Sequence, residues 1–284
     1  KPGKTYKTKF YMQYTINVRG RLIDLSSPLV MGILNATPDS FYEGSRKQTE
    51  AEIASRANEI IAQGGRMIDV GAFSTRPGAA EVSMEEETER LRRALQIVRR
   101  EQPDAIVSVD TYRPLVARRC IEEFGADIIN DVSEGGITGI VDTPIHEEGD
   151  MFQTVAQLGV PYILMSVQPT LPKMMQNFAA EVQRLRDLGA KDIILDPGYG
   201  FGKTLEQNYE ILHHAERLQE LGLPVLVGVS RKSMIFRLLG GTPATSLNGT
   251  TVLHTVSLMK GASILRVHDV KEACEAVRIV GQMG

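Results

Sequence analysis

Side chains able to do ionic, acid–base or metal chemistry are spaced along the whole chain: Asn35, Asp69, Asp110, Asn130 with Asp131, Asp196, Lys232, and Arg266 with His268. Each closes or directly follows a short apolar run, in VMGILN, RMIDVG, IVSVDT, DIIND, DIILD, PVLVGVSRK and SILRVHD. One such residue means little, because Asp and Asn commonly cap the turn or helix after a strand. A polar residue at nearly every run end carries more, since a fold that gathers those ends would line one pocket with them. Asp110, Asn130, Asp196 and Lys232 then offer two carboxylates, an amide and an ammonium, a set suited to a flat heterocycle with several donor and acceptor edges. Arg76, Arg231, Arg266 and His268 are cationic donors that suit an oxyanion such as phosphate. Asn248-Gly249-Thr250 precedes an expected helix over 251–259 and offers an anion site at a helix N-terminus. The Asn35 amide oxygen is a hard ligand of the kind Mg²⁺ takes alongside phosphate oxygens.

The glycine-rich stretch after Asp196, GYGFGKT, resembles nucleotide-binding loops but fits none. A Walker A loop needs glycine at position 197, which is Pro197, and the dinucleotide fingerprint needs it at position 203, which is Lys203. The glycines are better read as serving a tight turn and close approach of backbone to a ligand. No role for Lys203 follows from the sequence. His213-His214 reads as a solvated helix face, and neither a Ser-His-Asp set nor zinc-ligand spacing occurs.

The elements that must position these residues alternate. Tyr14–Val18 and Arg21–Leu25 flank Arg19-Gly20 and predict a β-hairpin. Strands are expected at 29–34, 66–71, 105–110, 126–131, 160–165, 191–196, 223–228 and 263–267, with amphipathic helices between them, among them 50–63, 84–100, 113–124 and 205–220. Eight βα units of about 30 residues predict an α/β fold, a (β/α)₈ TIM barrel with the hairpin closing its bottom. A doubly wound open sheet is the alternative, and the regular units without a composition break favour the barrel. Residues 1–13 are basic and polar and are expected to be a flexible segment, with 14–284 a single domain. The loops 35–48 and 71–83, rich in Gly, Pro, Ser and Thr, are candidate lids over the barrel mouth. Residues 133–149 form a third irregular stretch.

Composition narrows the function. The chain has 284 residues, 42% hydrophobic and 24% charged, with a formal net charge of −3. That balance is ordinary for a soluble globular protein. It argues against a protein built around nucleic acid or an anionic membrane. Two cysteines without metal-type spacing, Cys120 and Cys274, fit a reducing cytosol. The first residues lack the apolar core of a secretory signal, and no apolar run approaches the roughly 18 residues of a membrane span. The expectation is a cytoplasmic enzyme of small-molecule substrates.

Seven blocks, in order, resemble one family: MGILNATPDSF, IDVGAFSTRPGA, SVDTYRPLVA, GADIINDVS, ILDPGYGFGKTLEQN, PVLVGVSRKS and GASILRVHDVKEA. They resemble bacterial dihydropteroate synthase, the folate-pathway transferase, over roughly Asp24 to Val277. The resemblance implies condensation of 6-hydroxymethyl-7,8-dihydropterin pyrophosphate with p-aminobenzoate, by an SN1-like step with Mg²⁺, in a sulfonamide target that works as a homodimer through helices late in the barrel. It implies that Asp110, Asn130, Asp196, Gly228 and Lys232 hold the pterin. Thr75, Arg76, Pro77, Phe201, Lys232 and Ser233 would shape the p-aminobenzoate side. Asn35, Arg76, Arg266 and His268 would hold pyrophosphate, with Asn35 on the metal, and Asp110, Lys232, Arg266 and His268 would carry the catalysis. Two departures stand out. Ala72-Phe73 replaces the frequent Gly-Glu before STRP, and Met165-Ser166-Val167-Gln168 replaces a Met-His-Met-like run. The segment between Gln168 and Lys191 leaves room for one helix. Two other readings use the same barrel: a pterin-dependent corrinoid methyltransferase, which needs neither SRKS, RVHD nor the STRP loop, and a pterin-binding paralogue without turnover.

Overall fold

The structure, a computed structural model, describes residues 12–36, 43–72, 82–135 and 150–283, with side chains of the first helix described from residue 49. Two short strands, β1 (Thr15–Val18) and β2 (Arg21–Asp24), pair antiparallel as a hairpin. Arg19 and Gly20 both have positive φ, 50° and 77°, the signature of a two-residue turn whose twist matches its strands. Arg19 is held in that conformation from outside: its guanidinium grips Asp127 (Nε to Oδ1 2.6 Å) and the Ala105 carbonyl (2.9 Å) on the barrel floor.

Eight parallel strands follow: β3 (Leu29–Asn35), β4 (Met67–Gly71), β5 (Ile106–Asp110), β6 (Ile128–Asp131), β7 (Tyr162–Met165), β8 (Ile193–Asp196), β9 (Leu226–Val227) and β10 (Ile264–Val267). Each pairs with its neighbour in sequence, and β10 pairs with β3 as well as β9. The ring closes between β8 and β9 by one bridge, Leu195 to Val225. The expected TIM barrel is what forms. Its strands read as unbroken apolar runs because both faces are covered. Outward residues such as Val70, Val107, Val109, Leu164 and Leu195 pack into the helix-lined core. Inward residues Met31, Met67, Ile106, Ile128, Ile163, Ile194, Leu226 and Ile264 form the lowest layer, packed against Ile16, Val18 and Leu25. The hairpin therefore plugs the bottom of the barrel.

The helices are α1 (Glu43–Ala62), α2 (Met84–Glu101), α3 (Pro114–Glu122), α4 (Met151–Leu158), α5 (Leu171–Asp187), α6 (Leu205–His213), α7 (Ser233–Leu239), α8 (Leu247–Met259) and α9 (Val270–Val280). One helix, α5, fills the stretch between Gln168 and Lys191 that the sequence shows to be short. The segment expected as one helix over 205–220 divides into α6 and a 3₁₀ turn at Ala215–Leu221 that ends on Gly222 at φ 67°.

Candidate active site

Side chains in a strand alternate, so two residues above each member of the lowest inward layer lies the next inward layer. There the chemistry changes. Ile33, Asp69, Ser108, Asn130, Met165, Asp196, Gly228 and Arg266 occupy it, and Asn35, Gly71, Asp110 and His268 stand one step higher on their own strands or just beyond. Strand register makes the neighbours: Asp110 pairs with Asn130 and Gly71, and Met165 with Asp196. A barrel floor of hydrocarbon thus gives way to a polar ceiling.

Arg266 organises that ceiling. Its Nε donates to Asp69 Oδ2 at 2.7 Å and its Nη2 to Asp110 Oδ2 at 2.9 Å, while Asn130 Nδ2 donates to the same Asp69 oxygen at 3.2 Å. Burial alone would pull the guanidinium down, but Asp69 and Asp110 outweigh it and hold Arg266 above its ordinary range. Burial pushes the Asp110 carboxyl up to about 7, against the pull of Arg266. Three buried oxygens here, Asp69 Oδ1, Asp110 Oδ1 and Asn130 Oδ1, have no hydrogen-bond partner among the described residues. A buried acceptor left unpaired costs about 1–3 kcal/mol. Acceptors converging on one pocket match the N–H donors of a heterocycle.

On the opposite wall, buried Asp196 and part-buried Lys232 act on each other through charge. Burial raises the carboxyl, opposed by Lys232, and burial lowers the ammonium to about 8, opposed by Asp196. Lys232 Nζ also donates to the Tyr199 carbonyl and sits 4.6 Å from the Phe201 ring centroid. Lys232 therefore touches both the Asp196 side and the Phe201 side. Ser233 begins α7 directly after it. Gly228 is informative through its empty space: a Cβ there would meet only Lys232 Nζ at 3.8 Å and Arg266 Cβ at 4.0 Å, ordinary contacts. The protein alone would accept alanine, so closeness to a ligand is the reason left for glycine.

Several residues depart from the expected roles. Arg231, read as an oxyanion donor, has its guanidinium spent on Asp269 (2.9 and 2.8 Å) and on the carbonyls of Pro243 and Ala244. His268, read as cationic, is neutral: burial and then Arg266 lower its imidazole to about 4. Asn248-Gly249-Thr250 does not precede the helix but lies in its first turn, since α8 starts at Leu247. A Cβ at Gly249 would stand 2.4 Å from Ile235 Cγ2, so this glycine packs α8 on α7. Of the residues expected to hold an oxyanion, Arg266 and His268 remain candidates among the described residues. Asn35 ends β3 with an exposed side chain, and no group of three His, Cys, Asp or Glu side chains placed to hold a metal occurs among those residues. Thr75, Arg76 and Pro77, and most of the three loops read as irregular or lid-like, lie outside the described residues.

Residues to which the sequence reading assigns no role matter too. Asp69, fully buried, carries both Arg266 and Asn130. Its neighbours were legible as strand ends, but its role as their common acceptor needs the register. Arg90 Nη1 donates to the Ala72 carbonyl and Arg113 Nη2 to the Val82 carbonyl, both at 2.9 Å, so the two feet of the STRP loop are fixed to α2 and α3. Ser166, in the departing run after β7, donates to Glu134 Oε1 at 2.8 Å.

A family profile described as pterin binding enzyme matches residues 31–268. The chain is 40% identical over 278 residues to the dihydropteroate synthase of Escherichia coli (strain K12), covering 92% of this chain and 94% of that protein. Its fold is similar to a Xanthomonas albilineans dihydropteroate synthase solved with 4-aminobenzoic acid (TM-score 0.83, 32% identity, 95% of this chain and 98% of that one). It is also similar to a Yersinia pestis dihydropteroate synthase solved with a sulfonamide drug (TM-score 0.80, 36% identity, 95% and 98%).

Proposed function

The chain belongs to the dihydropteroate synthases among the pterin-binding enzymes, and on that premise we propose how its own residues perform the family's reaction, the joining of 6-hydroxymethyl-7,8-dihydropterin pyrophosphate to p-aminobenzoate with release of pyrophosphate. The supporting observation is the polar ceiling with its three unpaired buried oxygens on Asp69, Asp110 and Asn130.

In this reading the pterin lies over Gly228 with its ring donors toward Asp110, Asn130 and Asp196 and its acceptor edge toward Lys232. p-Aminobenzoate enters beside Phe201, with Lys232, Ser233 and the Thr75-Arg76-Pro77 loop around it. The bond between the pterin methylene and the pyrophosphate oxygen breaks first, and its electron pair leaves on pyrophosphate. Arg266, Arg76 and His268 receive that charge, His268 as a neutral hydrogen-bond donor. Asp110 faces the cation left on the pterin methylene and lowers its energy. The aryl amine then forms the C–N bond and gives up a proton. Because the cation is reactive, the amine needs no strong base, and excluding water matters more.

The resemblance brings Mg²⁺, and the donor set fits it in one respect: Asn35 offers a single hard oxygen at the mouth, as expected of an ion held chiefly by phosphate oxygens and water. Bound there, Mg²⁺ would neutralise pyrophosphate charge. A homodimer is supported by exposed apolar side chains on the last helices, Leu238 and Leu239 of α7, Val252 and Met259 of α8 and Ile279 of α9. Residues 14–284 act as one domain. A cytoplasmic setting is supported by free thiols at Cys120 and Cys274, and no described helix is long and apolar enough to cross a membrane. Sulfonamides would occupy the p-aminobenzoate side.

A coupled pyrophosphate-release assay with both substrates tests the reading. Release that requires p-aminobenzoate is expected. Tight pterin binding without release would indicate the silent paralogue, and methyl transfer to a corrinoid the methyltransferase.

A further inference from the structure

Lys203 is a half-buried cation near the site that the reaction leaves unused. Its Nζ donates three hydrogen bonds to backbone carbonyls: Ser166 at 2.9 Å, Gly198 at 2.9 Å and Phe201 at 3.1 Å. An ammonium has three N–H donors, and all are spent. The acceptors come from two separate connections. Ser166 follows β7, whereas Gly198 and Phe201 belong to the turn between β8 and α6. The two connections nearly touch, since a Cβ built on Gly198 would lie 2.2 Å from the Ser166 oxygen, and Gly198 has φ 63°. The three carbonyl oxygens share one ammonium, whose positive charge offsets the repulsion between their partial negative charges.

The rest of the turn is pinned around this point. Gly198 N–H donates to Asp196 Oδ1 at 2.8 Å and Gly200 N–H to Asn208 Oδ1 at 2.7 Å. Thr204, next after Lys203, closes a capping box with Gln207 that starts α6. Phe201 is tied to Lys203 twice: Lys203 holds its carbonyl, and the Phe201 N–H donates at 3.1 Å to the Gly198 carbonyl that Lys203 also holds, while its ring faces the Lys232 ammonium. Asp196 is held independently by strand pairing with Met165.

We propose that Lys203 is a positioning residue for the p-aminobenzoate side of the site, fixing the turn that presents Phe201 while touching neither substrate. The proposal rests on the assignment of Phe201 to that side.

Steady-state kinetics of Lys203→Met and Lys203→Arg with both substrates test it. Loss of a charged hydrogen bond corresponds to about tenfold. Lys203→Met is expected to raise the KM for p-aminobenzoate about tenfold and leave that for pterin pyrophosphate within about twofold. Lys203→Arg, which keeps charge and donors but not their tetrahedral arrangement, falls between. An equal rise in both KM values, or none for p-aminobenzoate, overturns it. A readout independent of turnover comes from the composition. The chain has no tryptophan, so Phe201→Trp provides a single tryptophan, whose emission is excited selectively beyond the tyrosine band. Adding Lys203→Met, or Lys203→Arg should the former not fold, is expected to red-shift that emission and lower its anisotropy, and unchanged emission overturns the proposal. If the parent chain releases no pyrophosphate, the assignment of function fails on its own, and the emission test still decides the role of Lys203.

Discussion

Arg266 and Asp110 are separated by 156 residues and meet at 2.9 Å, Nη2 to Oδ2, while the same guanidinium reaches Asp69 through Nε. Asp110 is thus held at one oxygen and left open at the other, which is the arrangement a carboxylate needs to be fixed in place and still face a substrate cation.

Removing that charge should cost turnover and spare the fold. Asp110→Asn is expected to lower kcat about 10²–10³-fold, the range for loss of one aligned electrostatic group. Its Tm should stay within a few degrees of the parent. Since the Asp110 carboxyl is pushed up to about 7 by burial, its ionised fraction grows as pH rises through that value. Activity of the parent should therefore climb between about pH 6 and 8, and the variant should lose that slope. Near-normal kcat in Asp110→Asn would refute the role.

Gly228→Ala separates ligand fit from protein packing. Among the described residues the added methyl meets nothing closer than 3.8 Å. Thermal stability is expected to hold, while affinity for pterin pyrophosphate measured by calorimetry drops about tenfold or more. Retained affinity would mean that the ring does not lie over this residue.

Phe201→Leu removes the ring that the Lys232 ammonium faces at 4.6 Å. A contact of this kind contributes about 0.5–2 kcal/mol. The KM for p-aminobenzoate and the inhibition constant of a sulfonamide should both change, and should change together, with the pterin KM left near its parent value. Unchanged inhibition would count against this wall of the site.

Glu181 on α5 offers a stability test away from the chemistry. Burial, followed by Glu134 and Asp131, raises its carboxyl to about 8 from an ordinary 4.5. The folded state therefore binds this proton more tightly than the unfolded chain. Its contribution is full below about pH 4.5 and is lost as pH rises toward 8. Glu181→Gln, which keeps a neutral side chain at every pH, should raise Tm by about 2 °C or more at pH 8 and leave it nearly unchanged at pH 4.5. Equal shifts at both pH values would exclude the linkage.

The barrel was legible in the sequence because buried parallel strands leave an unmistakable trace: short apolar runs of fixed spacing, each closed by a polar residue. Asp110, Asn130, Asp196 and Arg266 could be picked for the same reason. What sequence could not give was the partner of each charge. Arg231 and Arg266 look alike as isolated cations after strands, yet one is spent on Asp269 and the other lies between Asp69 and Asp110. His268 was read as a cation from its type, whereas its protonation is set by burial and by Arg266. The start of α8 was misplaced by a few residues because Asn248-Gly249-Thr250 reads as a turn, and only the contact with Ile235 explains a glycine inside a helix. Lys203 had no role in the sequence, since its three acceptors are backbone carbonyls, which every residue carries.

The closure of the barrel through Leu195 and Val225 has a mechanical consequence. Elsewhere neighbouring strands share ladders of two to five paired residues, so a change in girth would break several hydrogen bonds at once. At this junction a single bridge joins the strands, with the Leu195 amide on the Pro224 carbonyl at 2.9 Å, and the Lys232 ammonium on the Tyr199 carbonyl spans it above. Asp196 lies just past one side of it, and Gly228 and Lys232 just past the other. The cylinder is a hoop with its clasp set between the two jaws of the grip, so its weakest strand junction is the one that separates them.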